Sequence, residues 1–562
     1  MRLPLRSAAI GLLFCLTSLS FSFASAYNAR PKLVVILVID QFRGDYLERY
    51  RDQFGEGGYR LFLDHGANFT DCYYNHANTS TAPGHAALLT GAYPVGNGIL
   101  ANEWWDAKKQ RLVTSVEDDS TQLVGEPGNS AGASPHNLLA DTLGDELKLA
   151  TQGKSRVFGI SIKDRAAILP AGFSGSAYWV DQKTGAWVTS TYYRSELPRW
   201  AQDFNDSKRA EKYLNQEWKD SQGNVLRTIR PDKNGNFFGA VTATPLANDY
   251  EFDFARELIT YEKLGAGPAT DLLVISLSAN DILGHQVGPD APELQAMILA
   301  TDRQLAGFFD FLGKEIGLAN VWIGFSADHG VAPVRATATR LHIPNQIIET
   351  DDLAKKLNAD LSAKLSPGKP AKYVFDADMQ LAWINPDAFT ALKMKEADAE
   401  QAVGEALKRY GFRGYYTKAQ LARGDVPKTH EAVKYLNNYS PYGGWYVLAV
   451  PPAYVMGGEE GADHGSPYSY DAHVPLAFYG LPFQPGTYRT HAEPIDLAPT
   501  LASLLGINYP TQAAGRVLTE ALSLLPRASR SAGAPGEHKE DLGSHGITSA
   551  AVQQISAMAG GK

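Results

Sequence analysis

Cysteine is nearly absent: the 562 residues contain two, and Cys15 lies in an apolar N-terminal stretch. Once that stretch is removed Cys72 is the only thiol, so no internal disulfide can form. Stability must then come from a packed core and bound metal. Cys72 itself is expected to pack as a small buried residue. Long hydrophobic runs are also scarce. Ala8–Phe23 is short for a membrane span and nothing after it would stop transfer, so no membrane anchor is expected. There is no surplus of basic residues: the net charge is −9 and the pI near 5.8. This argues against nucleic acid as a scaffold-level partner. It leaves an anionic small substrate open, because bound divalent cations dominate a local field. No internal repeat is present.

Residues 1–26 read as a cleavable signal peptide. Arg2 and Arg6 open it, Ala8–Phe23 is its apolar part, and Ala24-Ser-Ala26 is the cleavage site, cut after Ala26. Phe14 before Cys15 argues against lipid attachment there. A periplasmic or secreted protein is expected. Strand-like and helix-like segments then alternate from about Lys32 to the Leu518 region, the pattern of an α/β sheet. Predicted core strands are Leu33–Ile39, Arg156–Ile162, Asp271–Ser278, Asn320–Ser326 and Val474–Tyr479. Ile495–Leu505 reads as a late amphipathic helix ended by Gly506. Stretches 179–249 and 341–454, the second with a helix-like Glu396–Tyr410, interrupt the rhythm. They read as insertions in one catalytic domain (27–525) that roof a site. Residues 526–562, rich in Ala, Gly, Ser and charge, read as a disordered tail.

Seven residues spread over more than 400 positions read as the shell of a two-zinc phosphate-transfer site: Asp40, Thr81, Asp281, His285, Asp328, His329 and His464. Asp40, the Asp281/His285 pair and the Asp328/His329 pair each follow a predicted strand. Ligands of parallel sheets gather beyond the carboxyl ends of their strands, so these side chains are expected to converge. In Thr79-Ser-Thr-Ala-Pro-Gly-His85, Pro83 suits a first helical turn. Thr81 then lies at a helix N-terminus, where an anion is favoured, and a divalent cation can activate its hydroxyl. Taken alone, such a run could merely cap a helix. Asp281 and His285 have the spacing that shares one helical face. Asp328-His329-Gly330 places two ionisable groups at a strand end, with Gly330 expected to allow a sharp turn. His464 supplies the last imidazole, with His473 as its rival. His76 and His85 are expected to be hydrogen-bonding residues. Carboxylates and imidazoles without thiolates suit Zn²⁺, with other first-row ions possible.

Lys163-Asp-Arg165 directly follows a predicted strand, and alternation would point both cations to one side. Together they would suit terminal phosphate oxygens, although in isolation a solvated pair is the ordinary reading. Asn102 could donate its amide to a phosphoryl oxygen or simply serve a turn.

The ordered set Val38-Ile-Asp40, Thr81-Ala-Pro-Gly-His85, Asn102, Lys163-Asp-Arg165, Asp281…His285, Ala327-Asp-His-Gly330, His464-Gly-Ser-Pro467 and Ile495-Asp-Leu-Ala-Pro-Thr500 resembles the alkaline phosphatase superfamily. It is most similar to the phosphate-irrepressible bacterial alkaline phosphatases, which are related to nucleotide pyrophosphatase/phosphodiesterases. The resemblance implies a three-layer α/β/α sandwich with a mostly parallel central sheet and inserted cap segments. It implies two Zn²⁺ per chain, one held by Asp281, His285 and His464, the other by Asp40, Asp328 and His329 with Thr81. Asn102, Lys163 and Arg165 would take the non-bridging oxygens. The implied activity is hydrolysis of small phosphate monoesters through a phosphothreonine on Thr81, by a chain expected to be monomeric. A phosphodiesterase or nucleotide pyrophosphatase is the alternative in the same superfamily, and Lys163 with Arg165 argue against it. A sulfatase would need a cysteine or serine nucleophile, and export disfavours a phosphosugar mutase. The reading from another class is a catalytically silent, metal-binding exported protein, which would normally have lost a ligand or the nucleophile.

Overall fold

The computed structural model describes residues 30–523 except 107, 126–130, 442–443 and 457–460. The expected signal peptide, Cys15 and the 526–562 tail lie outside the described residues. Among the described residues eleven strands form the central sheet: β1 (Leu33–Ile39), β2 (Ala67–Phe69), β3 (Glu117–Val124), β4 (Ala131–Ala133), β5 (Val157–Ser161), β6 (Ser176–Val180), β7 (Trp187–Ser190), β8 (Asp271–Leu277), β9 (Val321–Ser326), β10 (Leu476–Tyr479) and β11 (Gly486–Tyr488). Their spatial order is β11-β2-β10-β9-β1-β8-β5-β6-β7-β3-β4. The five central strands, β9-β1-β8-β5-β6, are parallel. Every residue of β1, β8 and β9 is buried, as strands covered on both faces require.

Helices cover both faces. The main ones are α1 (Thr81–Thr90), α2 (Asp164–Ala171), α3 (Pro245–Tyr261), α4 (Ala279–Val287), α5 (Pro292–Glu315) and α6 (Leu497–Leu505). Adjacent residues of β9 show the two layers. A Cβ at Gly324 would meet Leu497 of α6 at 3.4 Å. Phe325 on the other face stacks on Phe62 at 5.2 Å, and Phe62 meets Phe309 of α5 at 5.9 Å. Fully burying one such side chain is worth about 1.5–3 kcal/mol, so these layers supply the stability no disulfide provides.

One predicted strand runs the other way: β10 pairs antiparallel with β9. The chain leaves β9 at its carboxyl end, and His464 is still beside that end. It therefore re-enters the sheet from the same edge and must run back. The register of the parallel strands decides the rest. Val38 lies opposite Ser276 and Ser326, and Ser276 opposite Ser161, so the four strands end level. Residues just beyond them leave from one edge.

Beyond that edge stands a second, four-stranded antiparallel sheet in the spatial order Val374–Ala377, Leu381–Ile384, Tyr446–Val450, Gly414–Thr417. Helices Leu353–Leu365 and Glu396–Leu407 pack on it around its own apolar core, which includes Leu357, Phe389, Val403 and Val447. Phe375 of this cap stacks on Trp105 at 4.7 Å. The 179–249 stretch is built differently. Its first part supplies β7, whose Trp187 is buried 3.9 Å from Phe254 of α3. Farther along, Arg227 donates to Gln286 of α4 at 2.7 Å. Cys72 is buried and free, and burial pushes its thiol well up.

Candidate active site

At the level strand ends the six predicted metal-binding side chains form two groups. Asp281, His285 and His464 make one; Asp40, Asp328 and His329 make the other. Within each, one ligating atom per residue lies within 4.8 Å of the others. Asp40, Asp328 and His329 sit at the ends of β1 and β9 and are wholly buried. Asp281 and His285 lie one turn apart on α4, with His285 Nε2 3.1 Å from Asp281 Oδ1. His464 Nε2 approaches the same oxygen at 3.6 Å, and its ring stacks on His329 at 3.5 Å. All three imidazoles meet a backbone carbonyl through Nδ1: His285 at Ala462 O, His329 at Gly330 O and His464 at Thr79 O, at 2.8–3.0 Å. That bond places the proton on Nδ1 and leaves the Nε2 lone pair facing the carboxylates, the tautomer a metal ligand needs. Asp40 Oδ1, Asp328 Oδ2 and His329 Nε2 are buried without a hydrogen-bond partner although they face one another at 3.3–3.5 Å. Unpartnered buried polar atoms are costly, and a shared cation satisfies all three at once. The donor set fits a divalent metal.

His473 stands apart: its Nε2 meets Thr70 O at 3.0 Å and its ring lies on Tyr73 at 4.5 Å. His85 hydrogen-bonds to Thr81 O and Ser276 Oγ at 2.8 and 2.7 Å. His76 is buried, with both ring nitrogens unpartnered. Gly330 serves close approach rather than a sharp turn: a Cβ there would meet Tyr470 O at 2.3 Å.

Thr81 is the first residue of α1, behind the N-cap Ser80, and its hydroxyl is 3.4 Å from Lys163 Nζ. Lys163 reaches further than the expected clamp. Its ammonium bonds Asp40 Oδ2 at 2.7 Å and Asp281 Oδ2 at 2.6 Å, so it touches both metal-binding groups and the threonine. Lys163 is the N-cap of α2 and Arg165 lies in that helix, so helix geometry, not strand alternation, places the pair. Arg165 instead lines an open cleft of about 390 Å³ shared with Asn102, His285 and His464. Asn102 Oδ1 accepts from the Ala82 N–H at 2.8 Å, which leaves its NH₂ as donor.

The sequence profile of the family described as type I phosphodiesterase / nucleotide pyrophosphatase matches residues 34–466, which includes the two metal-binding groups, Thr81, Asn102, Lys163 and Arg165. The chain belongs to this family. Among its relatives, a Myroides odoratus protein named a calcium-transporting ATPase is 34% identical, over 89% of this chain and 97% of its own. Alkaline phosphatase PhoV of Synechococcus elongatus is 32% identical, over 88% and 93%. The crystal structure of alkaline phosphatase PafA superposes with a TM-score of 0.80 at 30% identity, over 88% of this chain and 99% of that one. PafA of Elizabethkingia meningoseptica is 32% identical in sequence. No helix among the described residues is long and apolar enough to cross a membrane.

Sequence reasoning missed Gln41, which joins the two groups in this phosphodiesterase-family chain. Its backbone N–H donates to Asp328 Oδ1 at 3.1 Å and its side-chain amide to Asp281 Oδ1 at 2.9 Å. It is fully buried and holds a left-handed φ of 62°, unusual for a non-glycine residue. The one sequence signal was its place directly after Asp40. Gly284 makes room for it: a Cβ there would lie 1.9 Å from Gln41 Oε1. Gly284→Ala should therefore dislodge the amide from Asp281 and weaken metal binding about 10–100-fold, the usual effect of losing such support. Gly-to-Ala in a helix interior normally adds about 0.5–1 kcal/mol, so folding stability should not fall in parallel. Zinc titration with thermal melts checks both. Unchanged affinity would remove Gln41 from the metal site.

Charge in the site is uneven. Burial and Asp281 push the Asp40 carboxyl up, yet Lys163 and His329 outweigh them and hold it below the usual carboxylate range. Burial likewise opposes ionisation of Asp281, but Lys163, His285 and His464 hold it well down. Asp328, buried beside the Asp40 charge, is pushed well up. Burial, helped by His464, lowers His329 to about 4. Burial also lowers His285, but Asp281 prevails and raises it to about 9. Asp328 is pushed up because it shares a buried site with the Asp40 charge. Added divalent charge suits this balance.

Proposed function

We propose that this protein is an exported zinc-dependent alkaline phosphatase that hydrolyses phosphate monoesters through a phosphothreonine intermediate. The observation that carries the reading is Thr81 at a helix N-terminus, beside both metal-binding groups and the Lys163 ammonium. The named alkaline phosphatases among its relatives, aligned over most of both chains, support it. Zinc held by Asp281, His285 and His464 and by Asp40, Asp328 and His329 would supply Lewis-acid stabilisation of developing negative charge and would favour an ionised hydroxyl. Thr81 Oγ1 attacks phosphorus in line and the leaving oxygen departs opposite it. Water then displaces Thr81 and releases phosphate. The transition state is loose, so the chain's task is to position and to hold charge. Asn102 donates its NH₂ to a non-bridging oxygen, and Lys163 and Arg165 face the growing negative charge.

A diester phosphorus carries a second substituent where the monoester has a bare oxygen, so it gains less from the two cations. The test is kcat/KM for a phosphate monoester against its methyl diester on zinc-loaded enzyme. A clear monoester preference is expected, and diester preference would return the chain to the phosphodiesterase reading. Lys163→Ala with Arg165→Ala should cut monoester kcat/KM by about three orders of magnitude, at roughly 2–3 kcal/mol per lost charged contact. The diester should lose much less. Because Lys163 also bonds Asp40 and Asp281, zinc content of the variant must be measured alongside. Equal losses on both esters with zinc intact would leave the pair without a role in substrate choice.

A further inference from the structure

We propose that the cleft sorts phosphate monoesters by the charge of their leaving group. An alcohol bearing a cationic ammonium is favoured over a neutral one, and both over one carrying further negative charge. This rests on the monoesterase reading above.

The cleft, about 390 Å³, is larger than a phosphoryl group needs, so the ester's alcohol must lie against its walls. At one end are Ser80, Arg165, His285 and His464. The lining also carries four acidic side chains: Glu103, Asp376, Asp463, which lies 4.0 Å from His285, and Asp378, whose carboxyl is pushed up to about 6 by desolvation and accepts from the Gln380 and Leu381 N–H groups. Arg165 is the one lysine or arginine among the lining residues, and it belongs to the phosphoryl end. With one guanidinium against these acidic side chains the lining is net negative, chiefly through Glu103 and Asp376. These carboxylates do not converge as a chelate: the compact ligand groups found among the described residues are the two already assigned. Their field is spread over the cleft and acts on whatever the alcohol carries.

Two further side chains, Asn78 and Trp383, join Ser80 in offering groups to a ligand in the same cleft. Asn78 Oδ1 and Ser80 Oγ have no hydrogen-bond partner, although the residues are only 4% and 7% exposed. Both oxygens can accept from an incoming N–H or polarised C–H donor. Trp383, from the cap, adds an indole to the carboxylate-bearing wall. Carboxylates beside an aromatic ring make a favourable setting for an ammonium, methylated or not. A polyanionic leaving group, such as a nucleoside polyphosphate, meets like charge along the same wall, and like-charge juxtaposition discriminates strongly.

The experiment compares kcat/KM for choline phosphate, its uncharged carbon isostere neohexyl phosphate, and phosphoglycolate, on the zinc-loaded full chain. Choline is intrinsically the better leaving group, so the decisive readout is how the choline-to-neohexyl ratio changes when wall charge is removed. Glu103→Gln with Asp376→Asn should lower that ratio at least fivefold and raise phosphoglycolate relative to neohexyl phosphate. In the unmutated enzyme the ratio should fall as ionic strength rises, since partly exposed charges are screened. That measurement stands even if the variant folds poorly. A ratio unmoved by both the variant and salt overturns the inference and leaves the monoesterase reading intact. Absence of turnover on all three esters would overturn that reading, and this inference with it.

Discussion

Exhaustive chelation is expected to reduce phosphomonoesterase turnover to background, and zinc to restore it. The reason lies in the geometry of the ligand set. Asp40, Asp281 and Asp328 converge within reach of one another, and among the described residues Lys163 is the lysine that pairs with two of them. Without divalent charge these side chains repel, and Lys163 and Arg165 alone supply much less of the electrostatic stabilisation that is usually the largest catalytic term. Metal binds only the folded arrangement, because its ligands come from β1, α4, the end of β9 and the His464 loop. At a free concentration a hundred times Kd it should add about 2.7 kcal/mol of stability per site, visible as a rise in Tm. The measurement pairs elemental analysis with initial rates and melting curves. Full activity in protein shown to hold no metal would end the two-zinc proposal.

Thr81→Ala should remove nearly all turnover, by about four orders of magnitude or more, the scale on which lost nucleophiles are felt elsewhere. Fold and metal content should stay near normal. Alanine is at home in the first turn of α1, and the six carboxylate and imidazole ligands remain. In the unmutated enzyme a phosphoryl label should be trappable on Thr81 at low pH or short times. The structure narrows the rivals. The Thr79 hydroxyl is already committed, donating to Ser466 O at 2.7 Å. Ser80 Oγ has no partner, so Ser80 is the residue to watch. Label on Ser80 with Thr81 unmodified would assign the nucleophile one residue earlier.

Much of this site was legible before any coordinates. Strand runs such as Leu33–Ile39 and Val321–Ser326 are apolar because both faces are covered, and a charged residue directly after such a run marks where the strand leaves the sheet. Asp40 and Asp328 announced themselves in that way. The Asp281–His285 spacing named its own helical face, and the helix formed. Donor chemistry is likewise a property of residue type: carboxylate and imidazole without thiolate narrows the metal whatever the fold.

What the chain alone determined, then, is which groups can ligate, attack or carry charge, and that most of them stand at strand ends. These follow from covalent chemistry and from periodicity, which act over a few residues. Tertiary structure decided which groups meet. The level register of β1, β5, β8 and β9 brings Lys163 between Asp40 and Asp281. The return of the chain at the same edge reverses β10 and selects His464 over His473. Gln41 acquires its bridging place through the gap at Gly284, more than 240 positions away. The acidic wall joins Glu103 to Asp376 and Asp463, which no local pattern connects. Contacts between residues far apart in sequence depend on how whole layers pack, and no short stretch of the chain encodes that distance.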